Sequence, residues 1–387
     1  MTRLCVVVAT PLTVHAFLRE HLRALAAAHE VTVVANTRDE SVELEGIEVI
    51  HAPVVRQIAP LADLRALAHL YRLFRRGRYH AVHSVTPKAG LLAMLASRFA
   101  RVPVRVHTFT GQVWATRRGA ARGLLKLIDK LIARSATAVL VDSPSQRDFL
   151  RDEGVLTPAQ GEVLGNGSIA GVDAARFKPN PAAHADVRTA LAIPAEAIVF
   201  IFVGRLTRDK GVFELARAFS RMPVGIGAAS YLVLVGPDEE RLAGAIQEAC
   251  ADAAPRIRLV GRTDAPEDYL AAADIFCLPS YREGFGAVVI EAAAAGLPAI
   301  ASRIYGLTDA VEENVTGLLV EPRNAEALAA AMQKLAWDAP LRRALGEAAR
   351  TRALRDFDSA AMTAELVAFY ARALAGNKSI SADDSAG

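Results

Sequence analysis

Short, almost unbroken apolar runs alternate with longer stretches whose apolar residues recur every three or four positions, from one end of the chain to the other. LCVVVA (4–9), EVTVVA (30–35), AVHS (81–84), VRVHTF (104–109) and AVLVD (138–142) have the β-branched density of strands. Helical spacing fills 12–28, 61–77, 87–100, 118–134 and 144–152 between them. The pattern then restarts with IVFIFVG (198–204), YLVLVG (231–236), IRLVG (257–261), IFCLP (275–279) and PAIAS (298–302). Strands that are apolar on both sides of the pleat need cover on both faces, which is the condition of a parallel sheet. Two such series predict an α/β chain of two doubly wound, Rossmann-like parallel-sheet domains. Ligands of such sheets gather beyond the carboxyl ends of the strands, so two facing domains predict an active site in the cleft between them. NGSIAGVDAARFKPNPAAHAD (166–186), rich in Gly, Pro and Asn, reads as the linker. Domains are therefore expected at 1–178 and 179–356, followed by a last helix at 357–376 and a disordered tail at 377–387.

Composition narrows the class without changing this picture. A chain of 387 residues with 52% apolar and 22% charged residues can bury two large cores. Its three cysteines (Cys5, Cys250, Cys277) have neither disulfide nor metal-site spacing, which points to a reducing, cytoplasmic compartment. MTRLCVVVATP reads as a first strand and not as a signal peptide, and no apolar run approaches the ~18–20 residues of a membrane span. Charge is uneven. Residues 1–178 hold 24 Lys/Arg against 15 Asp/Glu, whereas the remainder holds 21 against 27. A basic first half suggests an anionic partner, either phosphates or a membrane surface. Nucleic acid is disfavoured, because the basic stretches lack interleaved stacking aromatics.

The segment richest in chemistry is PSYREGFGAVVIEAAAAGLP (279–298). It leaves a strand, turns through Gly284 and Gly286, and opens a helix at Gly286–Ala287. Glycines admit a ligand close to the backbone, and free N–H groups at a helix start attract phosphate. Glu283 precedes that helix and Glu291 lies within it, so two carboxylates flank the turn and suit sugar and ribose hydroxyls. VGRLTRDKG (203–211) ends the first strand of the second series, where Arg205 and Lys210 could together neutralise a departing nucleotide diphosphate. Two solvated surface cations are the plainer account of that segment taken alone.

Arg205, Lys210, the Glu283–Glu291 pair in EGFG…E and the following AAAAGLPAIAS resemble the retaining glycosyltransferases of family 4. The resemblance covers nearly the whole chain and implies the GT-B fold, with the C-terminal helix returning toward the N-terminal domain. It implies that Gly204, Arg205 and Lys210 meet the donor diphosphate and that Glu283 contacts the transferred sugar. It further implies that Glu291 binds the ribose and that the backbone of Phe285, Gly286 and Ala287 meets donor oxygens. No cofactor is expected beyond the nucleotide-sugar co-substrate, and no metal, since the cations take its place. The D-x-D at Asp356–Asp358 enters the last helix and reads as capping. HSVTPKAGLLAMLASRFA (83–100), VRVHTFTGQVWATRRG (104–119), LVDSPSQRDFL (140–150) and VLGNGSIAGVD (163–173) are similar to a bacterial branch. That branch extends undecaprenyl-diphosphate-linked sugars for capsule, O-antigen (lipopolysaccharide) or glycoprotein glycans, often from UDP-linked N-acetylhexosamines.

Two positions depart from the family. Ala9–Thr13 stands where many members carry a Gly pair, and Thr110 stands where many carry a histidine that touches the donor sugar. His107, three residues earlier, could take that role if it faces the cleft, or could be a satisfied strand histidine. On the acceptor side Thr86, Pro87 and Lys88 open a helix, and Lys88 beside free N–H groups could receive a lipid diphosphate or be an exposed lysine. Thr110 joins Thr86 and Lys88 as a candidate acceptor contact. RRGAARGLLKLIDKLIAR (117–134) holds six Lys/Arg and one acid, with Leu124, Leu125, Leu127, Ile128, Leu131 and Ile132 at helical spacing. It could rest on the inner face of the cytoplasmic membrane, helped by RLFRRGR (72–78), or be an ordinary surface helix. Ser143 with Pro144 and Gln146 is a capping-box pattern. The activity expected is retaining transfer of a hexose or N-acetylhexosamine from a UDP-sugar to a lipid-linked glycan. A nucleotide-sugar epimerase and a non-catalytic nucleotide-sugar-binding subunit are the alternatives. A nicotinamide oxidoreductase is disfavoured because no strand is followed by G-x-G-x-x-G.

Overall fold

The computed structural model describes residues 1–38, 41–54, 59–223 and 230–383. The chain forms two compact units, one of Met1–Ala170 with Ala360–Gly387 and the other Gly171–Ser359. In the first, β1 (Thr2–Val7), β2 (His29–Ala35), β3 (Glu48–His51), β4 (Ala81–Val85), β5 (Val104–Phe109), β6 (Ala138–Val141) and β7 (Glu162–Val163) make one sheet of order 3-2-1-4-5-6-7. All its pairings are parallel, with Val7 opposite Val34 on one side and Ser84 on the other. Alternation along β1 divides the core. Leu4 and Val6 join Leu18, Leu22 and Leu366, Phe369 and Tyr370 of the last helix, Ser359–Asp383. Cys5 and Val7 join Leu70, Phe74, Leu92 and Ile132 from the helices Pro60–Gly77, Pro87–Phe99 and Gly119–Ser135. Cover on both faces is why the central runs of these strands are mostly apolar. Each large aliphatic or aromatic side chain buried this way contributes about 1.5–3 kcal/mol.

The second unit repeats the design. Its strands β8 (Ile198–Val203), β9 (Ser230–Val235), β10 (Ile257–Gly261), β11 (Ile275–Leu278), β12 (Ala299–Ser302) and β13 (Gly317–Val320) run in the order 10-9-8-11-12-13, again all parallel. Strand order reverses beside β8, whose neighbours β9 and β11 leave on opposite sides. Side chains at the carboxyl ends of β8 and β11 are therefore the ones such a sheet brings together. Phe200, Phe202, Phe219 and Phe276 fill the core around them.

Three differences from the sequence expectation have physical causes. β3, β7 and β13 were not anticipated, and all three lie at sheet edges, where strands are short and carry little periodic signal. The Gly/Pro-rich 166–186 stretch belongs largely to the second unit, whose first residue is Gly171 and not 179. Val172 N–H donates to Phe357 O at 2.7 Å, Phe177 is buried, and Asn180 caps the helix Pro181–Ala190 by accepting from Ala183 N–H. The last helix continues to Asp383, past the expected end at 376, and 384–387 lie outside the described residues. Among the described residues no helix is long and apolar enough to cross a membrane.

Candidate active site

The second unit holds a compact set of charged groups on the loops that leave its central strands. After β8 the chain passes Gly204 and Arg205 and makes a single tight turn, Arg208–Lys210, before the helix Val212–Ser220. Gly211 ends that turn at φ +69°, and a Cβ there would stand 2.1 Å from Pro279 O, so the turn is pressed against the loop after β11. Two ion pairs and a backbone bond join the same segments. Lys210 Nζ lies 2.5 Å from Glu283 Oε1, Arg282 Nε lies 3.0 Å from Asp209 Oδ2, and Tyr281 N–H donates to Asp209 O at 2.8 Å. Arg205 Nη1 reaches Glu239 Oε2, on the loop after β9, at 2.7 Å. Both candidate diphosphate cations are thus present, each held by a carboxylate at a partly exposed position.

Gly286 supplies the next part. Its φ of +86° turns the chain from loop into the helix Ala287–Ala294, and no side chain caps that helix start. A Cβ at Gly286 would press on Leu307 Cδ2 at 2.6 Å, so a larger residue is excluded by packing as well as by backbone conformation. The first helical N–H groups are left without intrahelical partners, a ready acceptor of anionic oxygen. Phe285 is buried against Phe357, which anchors the turn from below. Glu291, two turns along, has its carboxyl pushed up to about 7 by burial, with the Arg176 charge opposing and Glu267 adding to the rise. Arg176 itself is tied to Glu267 at 2.8 Å and to Asp264 O at 3.0 Å. Gly204, Arg205, Lys210, Glu283, Phe285 and Gly286 therefore lie on strand-end loops of one unit, and Ala287 and Glu291 on the helix that follows one of them.

The first unit treats its candidates differently. His107 is fully buried. Its Nδ1 is 2.8 Å from Ser84 Oγ, and its ring packs edge-on to Phe109. Gly90 leaves the niche the ring occupies, since a Cβ there would be 2.3 Å from His107 Cε1. Burial, with His83 adding to it, drives its pKa down to about 3, so the ring is neutral. Of the two readings the sequence left open, the buried ring is nearer the strand histidine, but it is only half satisfied, since its Nε2 has no hydrogen-bond partner. Thr110 lies beyond the strand on a loop whose carbonyl accepts from Gln112 Nε2 at 2.6 Å and Gln146 Nε2 at 2.7 Å. Ser143 Oγ caps its helix by accepting from Gln146 N–H, as the sequence suggested. The Gln146 side chain turns back toward the strand end. It accepts from Asp142 N–H at 2.7 Å while donating to Thr110 O, which fixes the Thr110 loop. Lys88 is engaged by Asp63 at 2.7 Å, and Thr86, at φ +77°, precedes its helix with a buried hydroxyl that has no hydrogen-bond partner.

The 117–134 stretch divides cleanly. Leu125, Ile128 and Ile132 face the core, while Leu124 (58% exposed), Leu127 (58%) and Leu131 (41%) face outward. Arg122 and Lys126 are drawn to Glu153 at 2.6 Å each and lie over Trp114, whose indole N–H donates to the buried Asp129 at 2.7 Å. The sequence reading missed Glu239, Asp209, Arg282 and Arg176. The first three sit four to six residues past a strand end, a position that alone marks them as site candidates.

Two family models match the chain: "Glycosyl transferases group 1" over residues 185–352 and "Glycosyl transferase 4-like domain" over 13–167. The capsular polysaccharide biosynthesis glycosyltransferase CapM of Staphylococcus aureus is 30% identical over 84% of this chain and 85% of its own length. An Escherichia coli UDP-Gal:alpha-D-GlcNAc-diphosphoundecaprenol alpha-1,3-galactosyltransferase is 29% identical over 69% and 68%. Among solved structures, sucrose-phosphate synthase from Thermosynechococcus elongatus superposes with a TM-score of 0.80 at 25% identity, covering 97% of this chain and 100% of that one.

Proposed function

The chain belongs to the family 4 (group 1) glycosyltransferases of GT-B fold, and from that membership we propose that it carries a hexose or N-acetylhexosamine from a UDP-sugar to a lipid-diphosphate-linked glycan with retention at C1. The observation that carries the proposal is the set of Arg205, Lys210, Glu283 and Glu291 around the uncapped helix start at Gly286. An anion-seeking helix start and two cations on strand-end loops of the same unit suit a diphosphate, and the carboxylates beside them suit the hydroxyls of a nucleotide sugar. The relatives named for capsular polysaccharide synthesis and for galactosyl transfer to a diphosphoundecaprenol acceptor support the choice of donor and acceptor classes.

In the reaction an acceptor hydroxyl oxygen forms a bond to the sugar C1 as the bond from C1 to the diphosphate oxygen breaks. The departing diphosphate takes the hydroxyl proton, so no enzymic base is required. Negative charge grows on the diphosphate during this step, and Lys210 and Arg205 are aimed at that growth, so they favour the transition state over bound substrate. Neither cation needs a metal to assist it. The pairings with Glu283 and Glu239 keep both in place before donor arrives, and donor binding requires each to exchange a carboxylate for a phosphate oxygen. Glu283, released from Lys210, is free to accept a sugar hydroxyl. On the acceptor side we assign Lys88 and Thr86 to the lipid diphosphate, with Asp63 as the partner that diphosphate must displace, and the Thr110 loop to the acceptor sugar. Leu124, Leu127 and Leu131, with Arg117 and Arg118, are assigned to an anionic lipid surface, on which such a stripe would lie flat.

The deciding experiment is a thermal-shift screen against UDP, GDP, ADP and dTDP, followed by transfer assays with a lipid-diphosphate sugar. A ligand that binds only the folded state raises its melting temperature. A shift with UDP that Glu291→Ala removes, and product that forms only with acceptor present, is the expected result. No shift with any nucleotide, or sugar conversion without acceptor, overturns the transferase reading in favour of a binding role or an epimerase.

A further inference from the structure

A second recess opens in the same unit, on the Arg208 end of the turn whose other end is Lys210. It has a volume of about 330 Å³ and is lined by Arg208, Phe213, Glu214, Arg217, Tyr281 and Arg323. These residues come from the turn after β8, the first two turns of the helix Val212–Ser220, the loop after β11 and the loop after β13. Three guanidinium groups against one carboxylate make the recess strongly positive. Arg208 is only loosely paired, at 3.8 Å from Glu240, and among the described residues Arg217 and Arg323 have no ion-pair partner. Arg323 adopts a left-handed backbone (φ +63°) and lies over the Tyr281 ring at 4.5 Å, while Arg208 lies over Phe213 at 5.1 Å. Two cations are thus spread on aromatic faces, Arg323 without a salt bridge and Arg208 with only a long one.

The floor of the recess has a different chemistry. Glu214 Oε2 is buried without a hydrogen-bond partner, although a buried carboxylate oxygen ordinarily has one. The Tyr281 hydroxyl beside it is held far above its usual range by burial and by hydrogen bonding to Glu214, so it stays protonated and orients that carboxylate. Arginines at the rim call for an anion, whereas the unfilled Glu214 oxygen, set in place by Tyr281, calls for a ligand with hydroxyls. We propose that this recess binds a hydroxylated anion, a hexose bearing a phosphate or a carboxylate, and that its occupant braces the turn carrying Lys210. The brace is direct, because Arg208 and Lys210 end the same three-residue turn and Tyr281 N–H holds Asp209 O between them. Binding at the recess stands on its own residues; the effect on Lys210 rests on the donor-site reading.

The test is calorimetry on the full chain with glucose 6-phosphate and with glucuronate, in saturating UDP so that the donor site is filled, alongside glucose and inorganic phosphate. At least one hexose anion is expected to bind saturably, about tenfold tighter than inorganic phosphate, with glucose alone not binding. The Arg217→Ala/Arg323→Ala double variant, both positions being exposed, is expected to weaken it at least about tenfold. Tyr281→Phe is expected to erase the advantage over inorganic phosphate. Phosphate and carboxylate as sources are separated by which of the two probes binds. No saturable binding, binding unchanged in the double variant, or inorganic phosphate binding equally well overturns the proposal. For the coupling, UDP affinity is expected to change by about threefold or more when the recess is filled, and an unchanged affinity overturns that part. If the protein binds no UDP at all, the donor reading fails, while Arg217- and Arg323-dependent binding still decides the recess.

Discussion

In the first unit, the polar side chains along β4 and β5 bond one another in a buried interior: His83 bonds Tyr370 and Thr108 at 2.8 Å each, and His107 bonds Ser84 through Nδ1 while its Nε2 has no hydrogen-bond partner. In the second, the polar side chains just past β8 and β11 are charged, partly exposed, and paired across loops with carboxylates. Both sets look equally suggestive as residue types in a strand–loop–helix frame. What separates them is solvent. Burial drives the two histidines to pKa values of about 3 and removes them as proton carriers at neutral pH, so their hydrogen bonds serve cohesion. A lysine and an arginine held at the surface by carboxylates can exchange those partners for another anion. The proposed function is therefore placed where a charge is held but can be re-paired.

That contrast is sharpest in turnover. Lys210→Ala is expected to lower kcat by about 10²–10³, the scale for losing one preorganised charge at a leaving group, whereas His107→Asn is expected to leave kcat within a few-fold. Steady-state kinetics on the pair checks it, and a His107→Asn collapse in a folded protein would break the division drawn above. The next effect is on stability. Gly90→Ala drives a methyl against the His107 ring and is expected to destabilise the protein by about 1–3 kcal/mol, read by denaturant melting, without altering nucleotide affinity.

Glu291 tests the second unit through pH. Its carboxyl titrates at about 7 in the folded chain, against an ordinary 4.5. The ionised form is the better acceptor for two ribose hydroxyls, so UDP affinity is expected to rise about tenfold from pH 6 to pH 8, and Glu291→Gln to flatten the profile. The folded state holds this proton more tightly than the unfolded one. The same group therefore lowers the stability of the ligand-free protein as pH rises from about 4.5 through 7. A wild-type affinity independent of pH would detach Glu291 from the ribose. The smallest expected effect belongs to Glu239→Gln, which releases Arg205 and should tighten UDP by a few-fold while leaving uridine unchanged. Equal change in both ligands would mean that Glu239 does not compete with the diphosphate.

Much of the second-unit site was legible because it lies in two short segments. VGRLTRDKG and PSYREGFGAVVIE each place a strand end, a glycine turn and a helix start in sequence, and strand ends beside a reversal of strand order are where ligands meet a sheet. Glu239 was not legible, since nothing in PDEE says which cation its carboxylate will find. Lys88 read as a free lysine because Asp63 lies 25 residues earlier on another helix. The orientation of His107 was beyond reach for a different reason. Alternation assigns a strand residue to one face or the other, and here both faces are buried, so parity carries no information about exposure.

The amino-acid sequence by itself determined the two parallel sheets, the family, and the cation and carboxylate types at the ends of β8 and β11. These follow from local periodicity and from short segments whose residues are covalently near one another. Only the tertiary structure decided which carboxylate holds which cation, that His107 is sealed behind Gly90, that Leu124, Leu127 and Leu131 face outward while their neighbours face in, and that Arg217, Tyr281 and Arg323 share a recess. Each of these depends on packing between segments far apart in the chain, where solvent exposure and charge pairing are set by what lies opposite and not by what lies next.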